Sequence, residues 1–198
     1  MESVAKQTQQ KKRRETRIQS VYSRCLITRK IVLPITSIGK NLQEVIEENV
    51  KANFEGKCVV EGFIKPNSSK IVTYSSGIIQ RGNSISFEVV FECDVCFPVE
   101  GMLISCVAKN ITKAGIRAES GTDVPSPVVV FVAKDHHFNV PHFAEIQEGD
   151  KINVRVIGQR FELNDKYISI IGELIKEKQD FSQQKPKIAA KPKLVIED

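Results

Sequence analysis

From Ser84 to Val95 the apolar residues Ile85, Phe87, Val89, Phe91, Cys93 and Val95 hold every odd position, while Ser84, Ser86, Glu88, Glu92 and Asp94 hold even ones and Val90 is the exception. A period of two over this length specifies a long, half-buried antiparallel strand, because successive side chains leave a strand on opposite faces. Pro98 ends it, since proline supplies no N–H to a ladder, and a domain boundary is expected between residues 97 and 98.

The segments before this strand read as a sheet with one helix. Val21 to Pro34 is apolar and β-branched, which suits a strand with a bend. Leu42, Val45, Ile46, Val50 and Phe54 then recur at the three-and-four spacing of one helical face. Asn41 and Glu44 have the spacing of a capping box, and Gly56 stops the helix. Lys57 to Ile64 and Lys70 to Ser75 read as strands around a Lys65-Pro66-Asn67 turn, and Gln80-Arg81-Gly82-Asn83 marks a further turn.

Beyond Pro98 only strands are expected. Gly101 to Lys109 and Ala114 to Glu119 form a hairpin through Asn110 to Lys113. The apolar run Val128 to Ala133 reads as a third, central strand. An irregular stretch with three histidines leads through Glu148-Gly149-Asp150 to Lys151–Arg160, and Leu163-Asn164-Asp165 turns into Tyr167–Leu174. Five short strands, with the longest interruption between the third and the fourth, give the element order of an OB barrel. The fold class is therefore mainly β, or α+β: a tip sheet with one helix, then a five-stranded OB barrel.

Of 198 residues 41% are hydrophobic, which is enough for an ordinary core and excludes a wholly disordered chain. The longest apolar stretches fall far short of the roughly 20 residues that span a bilayer, and no early apolar run reads as a secretory signal, so a soluble, intracellular protein is expected. Five cysteines without such a signal argue for reduced thiols. The first 20 residues carry +4 and residues 176–198 carry +2, against +5 for the whole chain, which leaves −1 for the body between them. Tight, autonomous, sequence-specific DNA binding is thereby disfavoured, and nucleic-acid contact should come from a local patch or from the arms. Both arms, 1–18 with its Lys11-Lys12-Arg13-Arg14 run and the Lys/Pro-rich 176–198, read as disordered.

The residues also resemble a known family. Gly101, Gly115, and Glu148-Gly149-Asp150 followed by Val154 and Val156-Ile157 resemble the ribosomal S-one-like RNA-binding OB domain. Phe54-Glu55-Gly56-Lys57-Cys58, Gly77-Ile78-Ile79-Gln80-Arg81-Gly82, Val89-Val90-Phe91 with Phe97-Pro98-Val99-Glu100-Gly101, and Val130-Phe131-Val132-Ala133-Lys134 resemble the stalk subunit of multisubunit DNA-directed RNA polymerases. In RNA polymerase II this is the seventh subunit, and archaeal polymerases carry a counterpart of the same family. The resemblance covers about residues 21–175. It implies a docking tip domain over 19–97, near the polymerase clamp, and an RNA-binding OB domain over 98–175. The implied partners are the largest core subunits, a second stalk subunit and nascent single-stranded RNA, at a nuclear or cytoplasmic site of transcription, without membrane or cofactor. Family members usually begin almost directly with the first tip strand. The basic N-terminal extension departs from that and suggests a divergent lineage, such as a large DNA virus with its own polymerase, acting in a viral factory or virion.

OB domains bind single strands with exposed aromatics and basic side chains, chiefly on strands two and three. Lys113, Arg117, Phe131, Lys134, His136, Arg155 and Arg160 are the candidates here, although a phenylalanine within Val128–Ala133 is more often a core residue. The resemblance places Gly62, Phe63, Ile64, Ile79, Arg81 and Gly82 at the end that enters the polymerase, with Phe63 and Ile79 as apolar anchors or as packing within the tip. Cys93 and Cys96 form a C-x-x-C, half of a zinc site. Their register sends the two thiols to opposite faces, so they read as structural. His136, His137 and His142 have no nucleophile or metal partner at a telling spacing and read as loop residues that touch RNA or solvent. Two rival readings remain: a free-standing OB protein in translation or RNA decay, and an enzyme using the histidine loop.

Overall fold

A computed structural model describes residues 20–120, 123–137 and 141–175. The two arms expected to be disordered lie outside the described residues. The chain forms a six-stranded antiparallel sheet with one helix, followed by a closed five-stranded barrel. The sheet is built on strand β6 (Ser84–Cys96). Strand β1 (Tyr22–Pro34) pairs with it along its whole length, from Tyr22 opposite Cys96 to Pro34 opposite Ser84. The other edge of β6 is shared by β5 (Ile78–Gln80), β4 (Lys70–Tyr74) and β3 (Gly62–Ile64), with β2 (Cys58–Val59) beyond β3.

The period-two pattern is realised. Phe87, Val89, Phe91, Cys93 and Val95 are buried on the face covered by helix α1 (Leu42–Phe54), which contributes Ile46 and Val50. Phe54, at the end of α1, stacks on Phe91 with ring centroids 5.9 Å apart. Two local expectations are corrected. The Asn41 side chain makes no capping bond: at φ −103° and ψ 33° it lies outside the extended conformation that points a cap at the N-terminal amides. Lys57 to Ile64 is not one strand but a hairpin turning at Val60-Glu61, with Cys58 opposite Phe63 and Val59 opposite Gly62. Gly62, at φ +129°, makes that hairpin possible, because a Cβ there would sit 2.4 Å from the Cys96 carbonyl oxygen.

The barrel closes in the order β10-β11-β9-β8-β7, with β7 (Leu103–Ile111), β8 (Gly115–Ser120), β9 (Val128–Ala133), β10 (Lys151–Arg160) and β11 (Ile168–Ile175). Only β9 and β11 run parallel. This is the strand order of an OB barrel, with 3-10 turns at Lys134–His136 and Pro141–Glu145 between its third and fourth strands. One side chain in two points inward along each strand, as Val128, Val130 and Val132 do in β9.

Sheet and barrel share their core. Cys58, Phe63 and Cys96, all from the sheet, are buried with the barrel residues rather than under α1. The Cys58 amide donates to the Asp165 carbonyl (2.8 Å), and the Asn164 amide donates to the Cys58 carbonyl (2.9 Å). Lys65 reaches Asp123 of the barrel at 3.4 Å and lies 4.7 Å above the Tyr22 ring. Phe63 thus fills space that both halves need. Phe63→Ala is expected to cost about 3–5 kcal/mol in urea unfolding monitored by circular dichroism, whereas a loss under about 1 kcal/mol would contradict a shared core.

Candidate nucleic-acid interface

Strands β8 and β9 pair antiparallel with Arg117 directly opposite Phe131, both on the outer surface of the barrel. Phe131 is 39% exposed, which corrects the expectation of a core phenylalanine. The apolar run of β9 gives a uniform pattern in sequence, but a small closed barrel packs only its interior, so every second residue faces out. The ring lies over Gly115, where a Cβ would come within 3.1 Å of the Phe131 Cζ and 2.3 Å of the Val132 carbonyl oxygen. Gly115, at φ +155°, therefore allows an aromatic ring to lie against β8.

Lys113 is exposed in the turn before β8. The Lys134 amide donates to the Ala114 carbonyl at 3.0 Å, which brings the Lys134–His136 turn beside it. Lys113, Arg117, Phe131, Lys134 and His136 therefore gather on one side of the barrel, with Arg117 paired to Glu119 at 3.1 Å. Arg155 and Arg160 do not join them. Both lie on β10, which neighbours β7 and β11 rather than β8 or β9, and each has an exposed carboxylate beside it, Glu173 (3.6 Å) and Glu162 (3.2 Å). Sequence reasoning missed Ile171, which is exposed and directly opposite Phe131 on β11, and Ile157 at the β10 bulge, also exposed. Consecutive isoleucines in Ile168–Ile171 hide the alternation that would have shown which of them faces out.

The histidines divide. His136 is exposed, whereas His137 is buried. The His137 Nδ1 lies 2.7 Å from the Ala133 carbonyl, its Nε2 accepts the Leu174 amide at 2.9 Å, and its ring stacks on Phe143. The expectation that it touches RNA or solvent is corrected: it ties the loop to β11. Among the described residues no three His, Cys, Asp or Glu side chains group to hold a metal ion. Cys93 and Cys96 point into different cores, as their register requires, and burial pushes both thiols up to about 12.

The residues assigned to core docking also separate. Phe63 lies opposite Cys96 and Ile79 opposite Ile85, which puts them near opposite ends of β6, about 35 Å apart at the rise of a strand. Gly62, Phe63 and Ile64 are buried. Phe63 and Ile64 have no side-chain surface to offer a partner, which removes them as docking anchors. At the other end Ile79 is 76% exposed beside Arg81 and Gly82, and the exposed Val32, Ile35 and Ile78 extend that apolar end. Val32 and Ile78 both lie opposite Ser86, and the Ile35 amide bonds the Asn83 carbonyl at 2.9 Å.

The fold is an OB barrel joined through a shared core to a sheet-and-helix module. No family model matches the chain. It is 28% identical to a candidate DNA-directed RNA polymerase subunit of Acanthamoeba polyphaga mimivirus, over 79% of this chain and 83% of that one. It is 32% identical to DNA-directed RNA polymerase II subunit 7 of Arabidopsis thaliana and 30% identical to the corresponding Glycine max subunit, in each case over 58% of this chain and 61% of the plant chain. The matched segment thus spans about three-fifths of the plant relatives. The chain is thus similar to proteins named as DNA-directed RNA polymerase subunits, the seventh subunit of plant RNA polymerase II and a viral protein among them.

His137→Ala is expected to lower stability by about 2–3 kcal/mol, because the buried Leu174 amide loses its acceptor. His136→Ala should leave it unchanged within about 0.5 kcal/mol. Equal effects in thermal denaturation would refute this division of roles.

Proposed function

We propose that the chain is a noncatalytic stalk subunit of a DNA-directed RNA polymerase, which docks on the core near the clamp through its tip sheet, supports initiation and carries nascent RNA across its barrel. The observation that carries this reading is the extent of the similarity to the mimivirus relative. A match over 79% of the chain cannot be confined to the barrel, as it would be for a free-standing OB protein. The end of the sheet where Val32, Ile35, Ile78 and Ile79 are exposed, with Arg81, is the docking surface, since exposed apolar side chains at a rigid sheet end suit a buried protein contact. The largest core subunits are the partners there, and a second stalk subunit is the expected companion.

On the barrel, RNA follows Lys113, Arg117, Phe131, Lys134 and His136. Lys113 and Lys134 supply phosphate contacts, which carry no sequence information, and Phe131 offers one stacking platform. The affinity is modest, because the body of the chain is nearly neutral and Arg117 already has a carboxylate partner.

Two measurements test this. Ile79→Asp is expected to reduce recovery of polymerase core in reconstitution at least about ten-fold with an unchanged melting temperature, and full recovery would refute docking at that end. In RNA titrations with a single-stranded oligonucleotide, Phe131→Ala should weaken binding by about 1–2 kcal/mol, roughly five- to thirty-fold. Lys113→Ala with Lys134→Ala should flatten the slope of log affinity against log salt by about 1.4. Unchanged affinity and slope would remove this face as the RNA path.

A further inference from the structure

Cys25 and Cys93 are directly opposed in the β1–β6 ladder, on the face that α1 covers. Cys93 is 1% exposed and Cys25, packed against the same core cluster, is partly exposed. Directly opposed residues of antiparallel strands have Cα atoms about 4.5–5.5 Å apart, inside the range of about 4.4–6.8 Å that a disulfide bridges. Burial first, and then the neighbouring Cys25, push the Cys93 thiol up to about 12.

The other thiols are not so arranged. Cys96 points away from Cys93 into the barrel core. Cys58 and Cys96 both lie opposite Phe63 on the strand between them, so they are two strand spacings apart, about 9.5 Å. Cys106 faces Ser120 and Ile152.

We propose that Cys25 and Cys93 form a redox-responsive cross-strand dithiol, which a small-molecule disulfide converts to an intramolecular bond stapling β1 to β6. The Cys25 thiolate, the more accessible of the two, attacks one sulfur of the small disulfide, breaks its S–S bond and releases one thiol. Cys93 gives its proton to solvent and attacks the Cys25 sulfur, which breaks the mixed disulfide and releases the second thiol. Two protein thiols are oxidised and one small disulfide is reduced to two thiols. Among the described residues β1 pairs with no strand but β6, so this bond covalently secures a strand that otherwise has ladder bonds on one side only.

The test is incubation of the full-length reduced protein with oxidised glutathione, alkylation of the remaining thiols and non-reducing peptide mapping. The expected product is a Cys25–Cys93 peptide, a whole-chain mass lower by two hydrogens, alkylated Cys58, Cys96 and Cys106, and a melting temperature higher by about 5 °C. Cys93→Ser should trap glutathione on Cys25, and Cys25→Ser should take up none. Five alkylated cysteines, a glutathione adduct on Cys25 with Cys93 still alkylatable, or a bond between any other pair would overturn the proposal.

Discussion

Strand β6 belongs to two cores at once, and the rest of the structure depends on that. Its odd-numbered side chains, from Phe87 to Val95, pack under α1, and its last residue, Cys96, turns into the barrel beside Phe63 and Cys58. Because Phe63 is opposite Cys96, the short β2–β3 hairpin is pinned to the end of β6 and carries hydrogen bonds to the barrel loop at Asn164 and Asp165. A tip surface and a barrel surface are thereby held in one frame.

The charges fit this division of labour. Most of the basic surplus lies in the arms, while within the body the strand arginines are largely offset: Arg24 by Glu92 and Asp94, Arg29 by Glu61, Arg117 by Glu119 and Arg155 by Glu173. Such surface pairs contribute little stability, but they lower the field available to a polyanion. On the proposed RNA face this leaves Lys113, Lys134 and one exposed ring, which under that proposal suits a surface over which a transcript passes better than one that holds it.

The fold was largely legible in the residues because the strongest periodicities coincide with the longest elements. The alternation of Ser84 to Val95 and the helical face from Leu42 to Phe54 are both realised, and the strand sequence after Pro98 gives the barrel. Short-range detail was less legible. The hairpin at Val60-Glu61 depends on how closely Gly62 approaches the Cys96 carbonyl, a contact between segments distant in sequence. Five of the seven residues considered for RNA do come together, because β8 and β9 are consecutive. Arg155 and Arg160 were misplaced because barrel closure, which no local pattern encodes, sets β10 between β7 and β11. Phe63 and Ile79, which the resemblance set at one end, pair with opposite ends of one strand. His137 and Phe131 exchanged expected roles, and in both cases only closure of the barrel decides which side chain is enclosed.

The most direct test of the central claim is affinity capture of the tagged full-length chain from its native source at about 0.3 M salt, where RNA bridging is weakened, followed by quantitative mass spectrometry. A stalk subunit should recover the two largest polymerase subunits in stoichiometric amounts, together with any companion stalk subunit. Recovery of ribosomal or RNA-decay proteins in their place, or of the chain alone, would contradict the account and leave only an OB barrel that binds RNA.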